Sequence, residues 1–145
     1  MIIYLDFDGT VVEHQYPGIG RCNFGCIEVL HKLKQAGHQI VLNTMRCEFS
    51  DNSLIEALKW FDNAWMLLKD KELVDVVDFS DISTTQQKRH PQPFNMVEFK
   101  KQGYIMIDDN SYGVPLIDAV MTNGKMVDWQ TLDIIFEKEG IYTKN

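Results

Sequence analysis

Residues 6–10 read Asp-Phe-Asp-Gly-Thr and follow the strand-like stretch Met1 to Leu5. Three further pieces stand downstream in a fixed order. Thr44 follows the apolar run Gln39 to Asn43, Lys100 shortly precedes a third run, Tyr104 to Ile107, and Asp108-Asp109 directly follows it. In an open α/β sheet the carboxyl ends of the strands share one edge, and ligands bind along it. That edge would gather four carboxylates, a hydroxyl and an ammonium. Carboxylates crowded in this way repel one another unless a divalent cation stands among them, and hard oxygen ligands select Mg²⁺. The residue types therefore point to metal-assisted phosphate chemistry.

Asp6 and Asp8 lie two apart, so on an extended chain they face the same side. Gly9 lets the backbone turn sharply just beyond them. Two carboxylates with different neighbours can divide the work, one attacking phosphorus while the other moves a proton.

Elements that could position these groups are legible in the periodicity. Ile2 to Leu5 reads as a strand buried on both faces. Pro17, Gly18 and Gly20 mark a loop, and Phe24 to Ala36 carries Ile27, Leu30 and Leu33 at helical spacing, closed by Gly37. Gln39 to Asn43 is the second strand. Ser50 or Asp51 can cap a helix with Leu54, Ile55, Leu58 and Phe61 on one face. Trp65 to Leu68 suits a third strand. Residues 69–93 show little pattern, Phe94 to Lys101 suits a short helix, and Tyr104 to Ile107 a fourth strand. Asp118 to Met121, ended by Thr122-Asn123-Gly124, reads as a fifth strand, and Asp128 caps a last helix through Leu132, Ile135 and Phe136. Strands alternating with helices imply an α/β fold with a parallel sheet.

A length of 145 residues predicts one domain over 1–145. The net charge of −7 argues against a general nucleic-acid surface, which needs a Lys/Arg stripe. No apolar run approaches the roughly 18 residues of a membrane helix, and the first residues are too short and too soon acidic for a signal peptide. Cys22, Cys26 and Cys47 form an odd set, and their spacing, even with His31 added, matches no zinc module. A reduced, cytoplasmic setting suits them.

Ile3-Tyr4-Leu5-Asp6-Phe7-Asp8-Gly9-Thr10 resembles the first motif of the haloacid dehalogenase superfamily of phosphohydrolases. Val41-Leu42-Asn43-Thr44 is similar to its second motif, and Ile105-Met106-Ile107-Asp108-Asp109 to its fourth. Thr44-Met45-Arg46 and Asp108-Asp109-Asn110 resemble more narrowly its small phosphatases and deoxyribonucleotidases. A response-regulator receiver domain gathers similar groups, but with its paired acids first, whereas here they come last.

The resemblance implies a three-layer Rossmann-like core with a mostly parallel five-stranded sheet. Only 35 residues, 9–43, separate Asp8 from Thr44, so no large cap domain fits and the site should be open. The activity implied is Mg²⁺-dependent hydrolysis of a phosphomonoester. Asp6 would be the nucleophile that forms an aspartyl-phosphate, and Asp8 the acid and then the base. Thr44 would hydrogen-bond the transferring phosphoryl group, a lysine would neutralise charge, and Gly9, Thr10 and Arg46 would contact substrate. Lys100 is the lysine of choice, with Lys101 and Lys88 as alternatives. Mg²⁺ would be held by Asp6, the carbonyl of Asp8, Asp108 and Asp109, the last as a ligand or one shell out. The partner implied is a phosphorylated small molecule or the phosphorylated end of a larger one, and oligomerisation would be one way to exclude water. A non-catalytic phosphate- or metal-binding relative and a phosphotransferase share these motifs.

Overall fold

The computed structural model describes residues 1–48, 52–63, 89–143 and the backbone of 83–84. Along the chain run β1 (Ile2–Leu5), α1 (Cys26–Gln35), β2 (Gln39–Leu42), a 3₁₀ turn (Met45–Glu48), α2 (Ser53–Asn63), β3 (Ser83–Thr84), α3 (Met96–Gln102), β4 (Tyr104–Ile107), β5 (Leu116–Asp118), β6 (Lys125–Val127) and α4 (Trp129–Lys138).

The short apolar runs become the middle of a parallel sheet because only there are both faces of a strand covered. Ile3, Leu5, Ile105 and Ile107 are fully buried, with Tyr4 and Met106 behind them. The strand order is β3-β2-β1-β4, so β1 lies inside, between β2 and β4. Its register sets Leu5 beside Leu42 on one side and Ile107 on the other. All three strands therefore end level. α3 packs on β4, and α1 packs on β2 and α4. Lys32 of α1 spans to Asp133 (3.0 Å) and Glu137 (3.3 Å) of α4. Phe7 continues the core under the site, meeting Trp60 and Phe61 of α2 edge-on.

The sheet differs from the five-stranded expectation. The stretch expected as a fifth parallel strand belongs to a separate antiparallel hairpin, β5 with β6, and only Asp118 of it is extended. The reason is local. Thr122-Asn123-Gly124 turns the chain back on itself, and Ala119 N–H reaches Gly124 O at 2.9 Å before a longer strand can form. The expected strand Trp65 to Leu68 lies outside the described residues. The edge position beside β2 holds β3, two polar residues within the stretch that showed little pattern.

Helix boundaries shift for equally local reasons. α1 begins at Cys26 because Gly25 is left-handed, with φ 83°, and Phe24 is left exposed. α2 begins at Ser53 and leaves Ile55 in solvent, so its buried face is Ala57 and Phe61 with Leu54 and Leu58 half-buried. Asn95 caps α3 by accepting from Glu98 N–H, and Asp128 caps α4 through Thr131 N–H, as its sequence suggests. No described helix is long and apolar enough to cross a membrane.

Candidate active site

The level ends of the central strands bring the chemistry-bearing residues to one row. Asp6 N–H extends the β1–β4 ladder to Ile107 O at 2.9 Å, and Asn43 N–H extends β2 to Leu5 O at 2.7 Å. Asp6, Asn43 and Asp108 thus leave the sheet side by side. They line a cavity of about 400 Å³ together with Asp8, Thr44 and Asp109. His14, Tyr16, Met45, Arg46, Pro91 and Asn110 complete the lining.

The turn after β1 is built to hold the acids close. Gly9 has φ 77°, and a Cβ there would overlap the Asp109 carboxylate, so no other residue lets the two segments approach. Thr10 is fully buried between them. Its hydroxyl donates to Asp6 Oδ2 at 3.1 Å and accepts from Asp109 N–H at 3.2 Å. Its carbonyl receives Trp129 Nε1–H at 2.7 Å and Asn23 Nδ2 at 2.9 Å. Gly9 spends its own N–H on Val12 O and its carbonyl on Val127 N–H. Both residues were expected to contact substrate. The structure gives them a different task, which is to orient the carboxylates on either side.

Asp6, Asp108 and Asp109 each offer a carboxylate oxygen, and the three lie within 4.8 Å of one another. Burial pushes the Asp6 carboxyl well above the ordinary range, and the charges of Asp108 and Asp109 push it further. One oxygen of Asp109, Oδ1, is buried with no hydrogen-bond partner. The three carboxylates could together hold a metal ion. The carboxylate of Asp8 is not part of the trio. Burial pushes the Cys22 thiol up to about 12 and raises the fully buried Cys26 as well.

Arg46 holds Asp8 instead. Its Nε and one Nη donate to the two Asp8 oxygens, each at 2.7 Å. That Nη also donates to Gly18 O (2.7 Å), while the other donates to Ser53 O (3.0 Å) and Pro17 O (3.3 Å). A guanidinium has five N–H donors, and all five are engaged. The guanidinium carbon also lies 5.1 Å from the Phe7 ring centre and 5.2 Å from that of Tyr16. Only 1% of Arg46 is exposed. The expectation that Arg46 binds substrate phosphate is therefore replaced: it has no donor left to offer.

Thr44 follows β2 and lines the cavity. It is buried against the cavity, and its Oγ1 accepts Arg46 N–H at 3.2 Å, which leaves its proton to donate. Lys100 is not brought to the cavity. It stands on the outer face of α3, 46% exposed along its side chain, and pairs with Glu139 at 2.7 Å. Lys101 pairs with Glu98 one turn back, at 3.5 Å. The cause is helical phase: α3 turns Met96 and Phe99 into the core, which points residues 100 and 101 outward. Among the described residues no lysine lines the cavity, and Lys88 lies outside them.

Asn43 was not singled out in the sequence, yet its side chain clamps the next segment. Its Nδ2 donates to Arg89 O and its Oδ1 accepts Arg89 N–H, both at 3.0 Å. This pair fixes the chain just before Pro91 enters the cavity wall. The signal was an amide ending an otherwise apolar strand, at the sheet edge where polar groups do work. Asn23 and Trp129 gave no comparable signal, because their partner is a backbone carbonyl.

No protein-family model and no curated protein matches the chain. Among solved structures it is similar to a conserved protein from Bacteroides thetaiotaomicron, 24% identical, with 99% of this chain and 98% of that chain covered and a TM-score of 0.49.

Proposed function

We propose that the protein is a Mg²⁺-dependent phosphomonoester hydrolase working through an aspartyl-phosphate on Asp6, with a Rossmann-like core and a reducing, cytoplasmic setting. The observation that carries this reading is the trio Asp6, Asp108 and Asp109, within 4.8 Å of one another on the wall of an open cavity, with Asp109 Oδ1 buried and unpartnered. The donor set fits Mg²⁺, and Asp6, Asp108 and Asp109 would hold it. The ion would supply positive charge against the phosphoryl oxygens of the substrate.

The residues of the chain take the following parts. Asp6, kept in place by Thr10, is the carboxylate aimed at phosphorus, and its attack expels the leaving oxygen. Thr44 donates its hydroxyl proton to a phosphoryl oxygen. Asp8, on the same cavity wall, gives a proton to the leaving oxygen and later takes one from the attacking water. Gly9 and Thr10 act from behind. The open cavity suits a phosphorylated small molecule or the phosphorylated end of a larger one.

The second reading is a non-catalytic phosphate- or metal-binding protein, favoured by the pairing of Asp8 with Arg46. A panel of phosphomonoesters assayed with Mg²⁺ and with chelator separates the two. Turnover that vanishes on chelation, returns with Mg²⁺ and is lost in Asp6→Asn supports the hydrolase. Phosphate or Mg²⁺ binding without turnover supports the second reading, and transfer to an alcohol in place of water marks a phosphotransferase.

A further inference from the structure

Arg46 is the most heavily engaged polar side chain around the cavity, and the roles described so far give it no step. Its fork meets both oxygens of Asp8 at 2.7 Å, from a side chain that is 1% exposed. The other three N–H groups are anchored on the carbonyls of Pro17, Gly18 and Ser53, so two separate segments, the loop at 17–18 and the start of α2, set the position of the guanidinium. A carboxylate on a short side chain otherwise rotates freely about its last bond. Two parallel charge-assisted hydrogen bonds remove that freedom and leave each oxygen one further lone pair. Asp8 meanwhile keeps 12% of its side chain accessible and lines the cavity.

We propose that Arg46 is a positioning residue for proton transfer by Asp8, one that touches neither substrate nor metal. The inference rests on the hydrolase reading. In the first step the bond from an Asp6 oxygen to phosphorus forms, the bond to the leaving oxygen breaks, and the proton on Asp8 passes to that oxygen. In the second, water oxygen bonds to phosphorus, the Asp6–phosphorus bond breaks, and Asp8 takes the proton of the water. Each transfer needs the carboxyl held within hydrogen-bond reach in one orientation, because a small misplacement costs far more rate than binding. Arg46 supplies that orientation. Lysine would keep the charge but lose the planar fork, so Arg46→Lys separates charge from geometry.

The test compares two substrates in saturating Mg²⁺. 4-Nitrophenyl phosphate releases an anion that needs no proton, whereas a simple alkyl phosphate releases an alkoxide that does. In single-turnover measurements of the first step, Arg46→Lys should slow the alkyl phosphate by on the order of a hundredfold, the scale of a lost acid catalyst. The burst from 4-nitrophenyl phosphate should change by roughly threefold or less, with substrate affinity unchanged. Asp8→Asn should show the same selectivity, and the double variant should be no slower than Asp8→Asn, since residues acting as one unit are non-additive. Equal losses on both substrates, or additive effects in the double variant, would overturn the proposal and leave Arg46 a structural clamp. Weakened affinity for both substrates would also overturn it, by making Arg46 a phosphate ligand. Independently of turnover, the Arg46 Nε–H resonance of the wild-type protein should be protected from exchange and become labile in Asp8→Asn. A labile resonance in the wild type refutes the clamp even if Arg46→Lys does not fold. A wild type that turns over neither substrate defeats the hydrolase reading itself, and the proposal with it.

Discussion

With divalent cations chelated, Asp6→Asn should raise the unfolding temperature at neutral pH. Asn keeps an oxygen to accept the Thr10 hydroxyl, so the substitution removes charge and little else. Of the three carboxylate pairs within 4.8 Å, two involve Asp6. At that separation one pair costs roughly 0.9 kcal/mol with the screening of bulk water and roughly 3.5 kcal/mol at an effective dielectric constant of about 20. Proton uptake by Asp6 limits the penalty, so the relief should be about 2 kcal/mol, or about 4–8 °C for a chain of this size. The sign depends on pH in a defined way. The folded-state carboxyl titrates well above the ordinary value of 3.8. Below that value Asp6 is protonated folded or unfolded, and the two proteins should be equally stable. As pH rises through 3.8 toward the raised folded value, the wild type loses stability and the variant does not. Mg²⁺ should reverse the order, because a ligand at a hundred times its Kd stabilises the folded wild type by about 2.7 kcal/mol. Calorimetric melts of both proteins across pH, in chelator and in Mg²⁺, give the answer. A variant no more stable than wild type in chelator, or a difference indifferent to Mg²⁺, would refute the electrostatic account of the trio.

Gly9→Ala should cost about 1–3 kcal/mol through its left-handed backbone alone and weaken Mg²⁺ binding as the Asp109 carboxylate is pushed aside, both measurable by calorimetry. Lys100→Ala should leave turnover within about twofold of wild type, because an exposed ion pair contributes little; a loss of a hundredfold would mean that Lys100 reaches the cavity during catalysis. Asn43→Ala should destabilise by about 1–3 kcal/mol in urea titrations by leaving the Arg89 amide and carbonyl unpaired. It should also slow turnover as the segment before Pro91 loosens.

The sequence by itself was enough for the frame of this protein. Apolar runs at Ile2–Leu5, Gln39–Leu42 and Tyr104–Ile107, each closed by polar residues, mark buried strands, and their alternation with helical segments points to a parallel sheet with its polar ends in one row. That Asp6, Thr44 and Asp108 share an edge follows, because strand ends are local and the register of apolar runs admits little choice. What side chains do at that edge was decided only in three dimensions. Nothing in the order of residues distinguishes an arginine that binds phosphate from one that spends five donors on Asp8 and three carbonyls, since its partners lie 7 to 38 positions away. Nor does spacing to Asp108 tell which way Lys100 points; the burial of Phe99 sets the phase of α3 and turns the ammonium toward Glu139. The hairpin was hidden for a related reason, as its edge pairing depends on a turn of small polar residues that also suits the end of a parallel strand. Local pattern determines elements, whereas the partners of charged groups are settled by packing between segments distant in sequence.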